Sequence, residues 1–166
     1  MKTIIILLAV LVSFVLRTQG QTVTDYDGNV YDTVVIGNQV WLKQNLRTTH
    51  DNTGFLIPNV ADSTAWANLS SWGRCYYNND SSAYDSVYGP LYNWYVADNP
   101  DVCPVGWHVA SNAEWQAAET FLGGAMVAGG KMKEADTIHW AGPNTSATNS
   151  SGFTGLPGGG RTNTGN

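Results

Sequence analysis

The sequence predicts a loop-rich domain of mixed class, in which a short antiparallel meander precedes one well-marked helix. Eighteen Gly and 15 Asn among 166 residues set turns at close intervals. Two runs of β-branched and aromatic residues, 22–26 and 30–36, flank Asp27-Gly28-Asn29, which supplies the positive-φ residues of a tight hairpin. Ser111-Asn112-Ala113-Glu114 has the spacing of a capping box, in which the hydroxyl and the carboxylate each satisfy an orphan backbone N–H.

The chain opens with Lys2, then an apolar run from Ile4 to Leu16 that stops at Arg17. That run is shorter than the roughly 20 residues a membrane-spanning helix needs, and its charged start marks a secretory signal. Thr18 and Gly20 are small enough for the −3 and −1 positions of a signal peptidase, so residues 1–20 are expected to be removed before Gln21. No Cys lies near that cut to take a lipid. The remaining chain, 21–166, keeps six basic side chains against thirteen acidic ones. It has no basic stripe to follow phosphates, which argues against nucleic-acid binding, and no stable membrane span is expected after the signal is removed. Only 13% of residues are charged, yet seven Trp and eight Tyr supply enough apolar surface to close a core.

After the first hairpin, Gly37-Asn38 turns the chain into Gln39-Val40-Trp41-Leu42, a third strand. Asp25, Asp27, Asn29 and Asp32 place oxygen ligands at alternate positions, as a hard cation takes them. The glycine falls at loop position four and no Glu follows, so the spacing is not that of an EF-hand and the turn reading is preferred.

Residues 43–100 are polar, aromatic and turn-rich. Most of their rings are expected to pack in the core or under loops. A minority could form an exposed platform, where flat apolar rings beside amide and carboxylate groups suit the faces and hydroxyls of a sugar. The candidate ligand-binding residues are Trp72, Tyr76, Tyr77, Asn78, Asp80, Tyr92 and Trp94.

Beyond the capping box, Trp115, Ala118 and Leu122 share one helix face, and Gly123-Gly124 ends the helix. Glu114 is read as a cap and not as a catalytic acid, because glycoside hydrolysis needs two carboxylates. His50, His108 and His139 are scattered, so neither a metal site nor a triad follows from them, and His108 reads as a core or loop-anchoring residue. Cys75 and Cys103 lack CxxC spacing. In an exported chain they suit a disulfide better than a metal, and Cys103 makes a poor nucleophile. The Gly-rich tail, 151–161, lacks the Gly-Lys-Ser/Thr ending of a phosphate loop and reads as a strand and turn. No catalytic residue, metal ligand or cofactor is assigned.

Taken in order, these segments resemble a known family. Asp27-Gly28-Asn29-Val30-Tyr31, Ile36-Gly37-Asn38-Gln39-Val40-Trp41 with Asn45-Leu46, Cys75-Tyr76-Tyr77-Asn78-Asn79-Asp80 and Tyr88-Gly89-Pro90-Leu91-Tyr92-Asn93-Trp94-Tyr95 come first. Cys103-Pro104-Val105-Gly106-Trp107-His108-Val109, Ala128-Gly129-Gly130-Lys131-Met132-Lys133 and Gly152-Phe153 through Arg161 follow. The set resembles the Fibrobacter succinogenes major paralogous domain over about residues 22–161. That family occurs in exported and surface proteins, and its biochemical role is not established. The Gly-Trp-His-Val and Ser-x-x-Glu-Trp segments are also similar to the formylglycine-generating-enzyme and C-type-lectin-like group, which implies an α+β fold with a small antiparallel sheet, one or two helices and long loops. The oxidase chemistry of that group depends on cysteines near the C-terminal end, and none follows Cys103 here.

Family members usually continue past the Leu-Pro-Gly-Gly and Arg segment to a last strand containing a Cys, so the resemblance implies a C-terminally incomplete domain. It then leaves Cys75 and Cys103 to pair with each other or stay free; the aromatic run around Cys75 looks buried and favours free thiols. The function expected is binding of a glycan or another surface polymer. A polysaccharide-acting hydrolase or modifying enzyme is the alternative, and a structural module of the cell envelope is a third reading.

Overall fold

The computed structural model describes residues 21–162 and residue 164, so the export segment assigned to residues 1–20 lies outside the described residues. The architecture is α+β. Strands β1 (Thr22–Thr24), β2 (Val30–Ile36) and β3 (Gln39–Leu42) form an antiparallel sheet in the order β1-β2-β3. Both expected turns fall where the sequence puts them, with Gly28 and Gly37 at positive φ. A second sheet pairs β4 (Arg74–Cys75) with β5 (Leu91–Tyr92).

Both faces of β2 are covered, at different ends. Val34 lies opposite Trp41, and Ile36 on the same face joins Trp41, Ala118, Leu122 and Ala128 in one core cluster. The helix expected after Ser111 is α4 (Asn112–Phe121), and it lays Ala118 and Leu122 onto this face while the Trp115 ring sits 4.5 Å from Trp41. Gly124 donates to the Glu119 carbonyl and Gly123 to that of Thr120, the crossed bonds of a Schellman stop that two positive-φ glycines permit. Helix α5 (Ala125–Met132) follows at once and packs against α4. On the opposite face of β2, Tyr31 is fully buried, donating to Asp25 at 2.5 Å and accepting from the Arg47 N–H at 2.9 Å. A second core cluster of Ile57, Val96, Val102 and Cys103 gathers Leu46, Trp72, Tyr92 and Trp107 around it.

Two expectations are corrected. In place of one or two helices, the described residues contain five, the others being α1 (Ser63–Ala67), α2 (Ser81–Tyr88) and α3 (Trp94–Ala97). Each is short and starts at an Asp or Asn whose side chain accepts from the N–H three residues on: Asp62 from Ala65, Asp80 from Ala83, Asn93 from Val96. The tail holds no strand of its own. Gly155 makes an isolated parallel bridge with Lys133, and the rest is fastened by single backbone bonds, such as Ser151 to the Lys131 carbonyl, and by side chains, such as the Asn149 amide, which brackets Thr154. Glycines and Pro157 deny this segment a continuous ladder. Cys75 and Cys103 are both buried free thiols, as expected.

Candidate functional site

The aromatic region is organised around Asp80. Its carboxylate accepts from the Ala83 N–H at 3.1 Å and from the Ser82 hydroxyl at 2.6 Å, starting α2. These bonds hold its carboxyl below the usual carboxylate range. Immediately before it, Tyr77–Asn79 form a single 3-10 turn in which Asn78 and Asn79 both adopt left-handed backbone, at φ 51 and φ 55. Two adjacent non-glycine residues in that region are costly, and persist where the surroundings fix them. Here the Asn79 amide donates to the Ala61 carbonyl at 3.0 Å. The Arg161 guanidinium donates to the carbonyls of Val60 and Ala61 at 2.9 and 2.8 Å and lies over the Trp66 ring.

Together these segments enclose a shallow hollow of about 270 Å³ lined by Tyr76, Tyr77, Asn78, Asn79, Leu91, Gly160 and Arg161. Tyr77 is 41% exposed, its ring meeting Tyr84 edge-on at 5.2 Å and lying close to Gly159. Tyr76 accepts from Arg74 Nη1 at 3.0 Å. Burial pushes its phenol up, and Asp85 adds to this against the opposing charge of Arg74.

Of the seven residues the sequence singled out, Tyr76, Tyr77 and Asn78 line the hollow, and Asp80 caps the adjoining helix. Trp72 and Tyr92 pack against the second core cluster. The Tyr92 hydroxyl donates to the Thr48 carbonyl at 2.7 Å, and burial raises its phenol well above the ordinary value. Trp94 is 72% exposed at the start of α3 and is not part of the lining. Arg161 and Gly160 were not anticipated as site residues. They lie more than 80 positions from Tyr77 in the chain, and a lone Arg in a Gly-rich tail gives no sign of which turn it will meet.

The oxygen-rich first turn serves the fold. Asp25 accepts from Asn29 and Tyr31, and Asp27 from Thr48, Thr49 and His50. Among the described residues, no group of three His, Cys, Asp or Glu side chains is placed to hold a metal. Thr49 Oγ1 and Asp27 both meet the same nitrogen of His50, Nδ1, whereas a relay needs the hydroxyl and the carboxylate on opposite nitrogens. His108 anchors its loop through Nε2, 2.8 Å from the capping Glu114. A second hollow, about 430 Å³, runs beside β1.

Fold and site thus define an α+β domain with an open hollow lined by aromatic and amide groups. The Fibrobacter succinogenes major domain family matches residues 34–166, and the chain belongs to that family. No curated protein and no solved structure matches it. Among the described residues, no helix is long and apolar enough to cross a membrane.

Proposed function

We propose that this is an exported domain, secreted or held at the cell surface, that binds a glycan or another surface polymer in the hollow at Tyr76–Asn79. The observation carrying the reading is the pairing of the partly exposed Tyr77 ring with the Asn78 amide, fixed by an otherwise unfavourable backbone. A flat ring offers an apolar face to a sugar, and amides supply donors and acceptors for its hydroxyls. Neither hollow brings two carboxylates face to face, as hydrolysis requires, so binding is favoured over glycoside cleavage.

The test is retention on a glycan array and on insoluble polysaccharides. Tyr77→Ala is expected to weaken retention about tenfold, the equivalent of about 1.4 kcal/mol, with an unchanged circular dichroism spectrum. Trp94→Ala, which removes an exposed ring outside the lining, leaves retention intact. Loss in both variants, or in neither, would displace the site from this hollow. Export is tested separately by mass spectrometry of protein from the native host, which should begin at Gln21.

A further inference from the structure

The second hollow has a different character. It is lined by Gln21, Thr22, Val23, Thr24, Asp25 and Tyr26 in unbroken succession, and across from them by Asn52, Pro104, Val105 and Trp107. Side chains of a strand alternate between faces, so a hollow lying on one face would collect every second residue. Six in succession mean that the hollow follows the edge of β1, which is the outermost strand of its sheet.

The hydrogen-bond alternation of an antiparallel pair says which backbone groups that edge presents. Asp25 is turned towards β2: its N–H donates to the Asn29 carbonyl at 3.0 Å and its carbonyl accepts from Gly28 at 3.1 Å. Gln21 is turned the same way, its carbonyl accepting from the Thr33 hydroxyl at 2.6 Å. Val23, midway between them and opposite Tyr31, shares that orientation. Thr22 and Thr24 therefore direct their N–H and C=O groups away from β2, into the hollow, about 6.8 Å apart along the strand. That is the donor and acceptor row of another extended backbone.

We infer that this hollow is a binding site for an extended peptide, which adds to β1 as a further strand and sets an apolar side chain against Pro104, Val105 and Trp107. Val105 is 83% exposed and Trp107 partly so, and these two present the open part of this wall beside the buried Pro104. The lining holds one carboxylate, Asp25, and no Lys, Arg or His, in a chain of net charge −5. Peptides rich in Asp or Glu are disfavoured, and neutral or basic ones are accepted. The site is separate from the hollow at Tyr77, so its occupation does not depend on a glycan.

The probe is acetyl-Lys-Thr-Val-Thr-Val-Lys-amide, titrated into isotopically labelled protein and followed by amide and indole NMR resonances. Addition should shift the Thr22 and Thr24 amides and the Trp107 indole. The same peptide N-methylated at its four interior residues, which keeps the side chains but removes the ladder donors, should bind at least tenfold more weakly. Thr24→Pro removes an outward N–H and leaves the bonds of β1 to β2 in place, so it should retain the thermal midpoint while losing the peptide. Unmoved resonances at Thr22 and Thr24, or equal binding of the N-methylated peptide, would overturn the assignment.

Discussion

Asp27, at the tip of the first hairpin, fastens that turn to the segment after β3. One carboxylate meets the hydroxyls of Thr48 and Thr49, both at 3.1 Å, the backbone N–H groups of Thr49 and His50, and His50 Nδ1 at 2.5 Å. Partial burial alone would raise its pKa, but the bonds from Thr49, His50 and Thr48 outweigh it and bring the carboxyl down from 3.8 to about 2. A carboxyl depressed in the folded state contributes its stability above the unfolded pKa and loses it as pH falls through the folded one. The window here runs from about pH 4 down to about pH 2. With the discount that solvent screening imposes, the contribution is about 1 kcal/mol. Asp27→Asn should therefore cost that much in urea denaturation at pH 7, and the gap to wild type should close towards pH 2.

Two neighbouring glycines in α5 give a sharper contrast at the same scale. A Cβ on Gly130 would stand 2.3 Å from the Ser146 carbonyl oxygen, which is backbone and cannot swing aside, whereas one on Gly129 meets nothing within 4 Å. Gly130→Ala is expected to destabilise by about 1–3 kcal/mol. Gly129→Ala should stabilise by roughly 0.5–1 kcal/mol, since alanine loses less backbone freedom in a helix. Chemical denaturation of the two variants reads the difference in sign.

At the scale of the element, legibility followed how local the determining interaction is. The β1–β2 turn and the α4 start were readable because the residues that define them are adjacent: Asp27-Gly28-Asn29 in one case, and Ser111 with Glu114 reciprocally bonded in the other. Helices α1, α2 and α3 were missed because the aromatic residues around Asp62, Asp80 and Asn93 gave no helical period, although the Asx caps were present. The tail reads as a strand and turn in the sequence, while the bonds that hold it run to Lys131, Met132 and Asn149, which its own residues do not announce. If local capping sets α4, then Ser111→Ala, which leaves the Glu114 N–H without its acceptor, should cost about 1 kcal/mol. The loss should appear in thermal denaturation without any change in the Trp41 and Trp115 packing reported by near-ultraviolet circular dichroism.

Across the whole molecule, the hollow at Tyr77 depends on long-range closure: Arg161 reaches the carbonyls of Val60 and Ala61, and the Trp66 indole donates to the Thr162 carbonyl at 3.2 Å. The aromatic half of the site was therefore visible in the sequence, and the cationic half was not. The same long-range packing seals the thiols. Cys75 is fully buried on β4, and Cys103 lies inside the second core cluster, where burial alone raises its pKa to about 11. At pH 8 a thiol of that pKa is ionised to roughly one part in a thousand, and only the thiolate attacks. Burial of both thiols, together with the raised pKa of Cys103, should leave the two cysteines unreactive in the folded protein. Iodoacetamide added to native protein at pH 8 is expected to label neither Cys75 nor Cys103, and labelling should begin at the denaturant concentration at which tryptophan fluorescence reports unfolding. Because Trp41 and Trp115 lie at the first cluster and Trp72 and Trp107 at the second with Cys103, a single fluorescence transition coincident with labelling would mean that the two clusters unfold as one cooperative unit. Labelling of Cys103 at the earlier of two fluorescence steps would instead mark the second cluster as a separately opening part of the molecule.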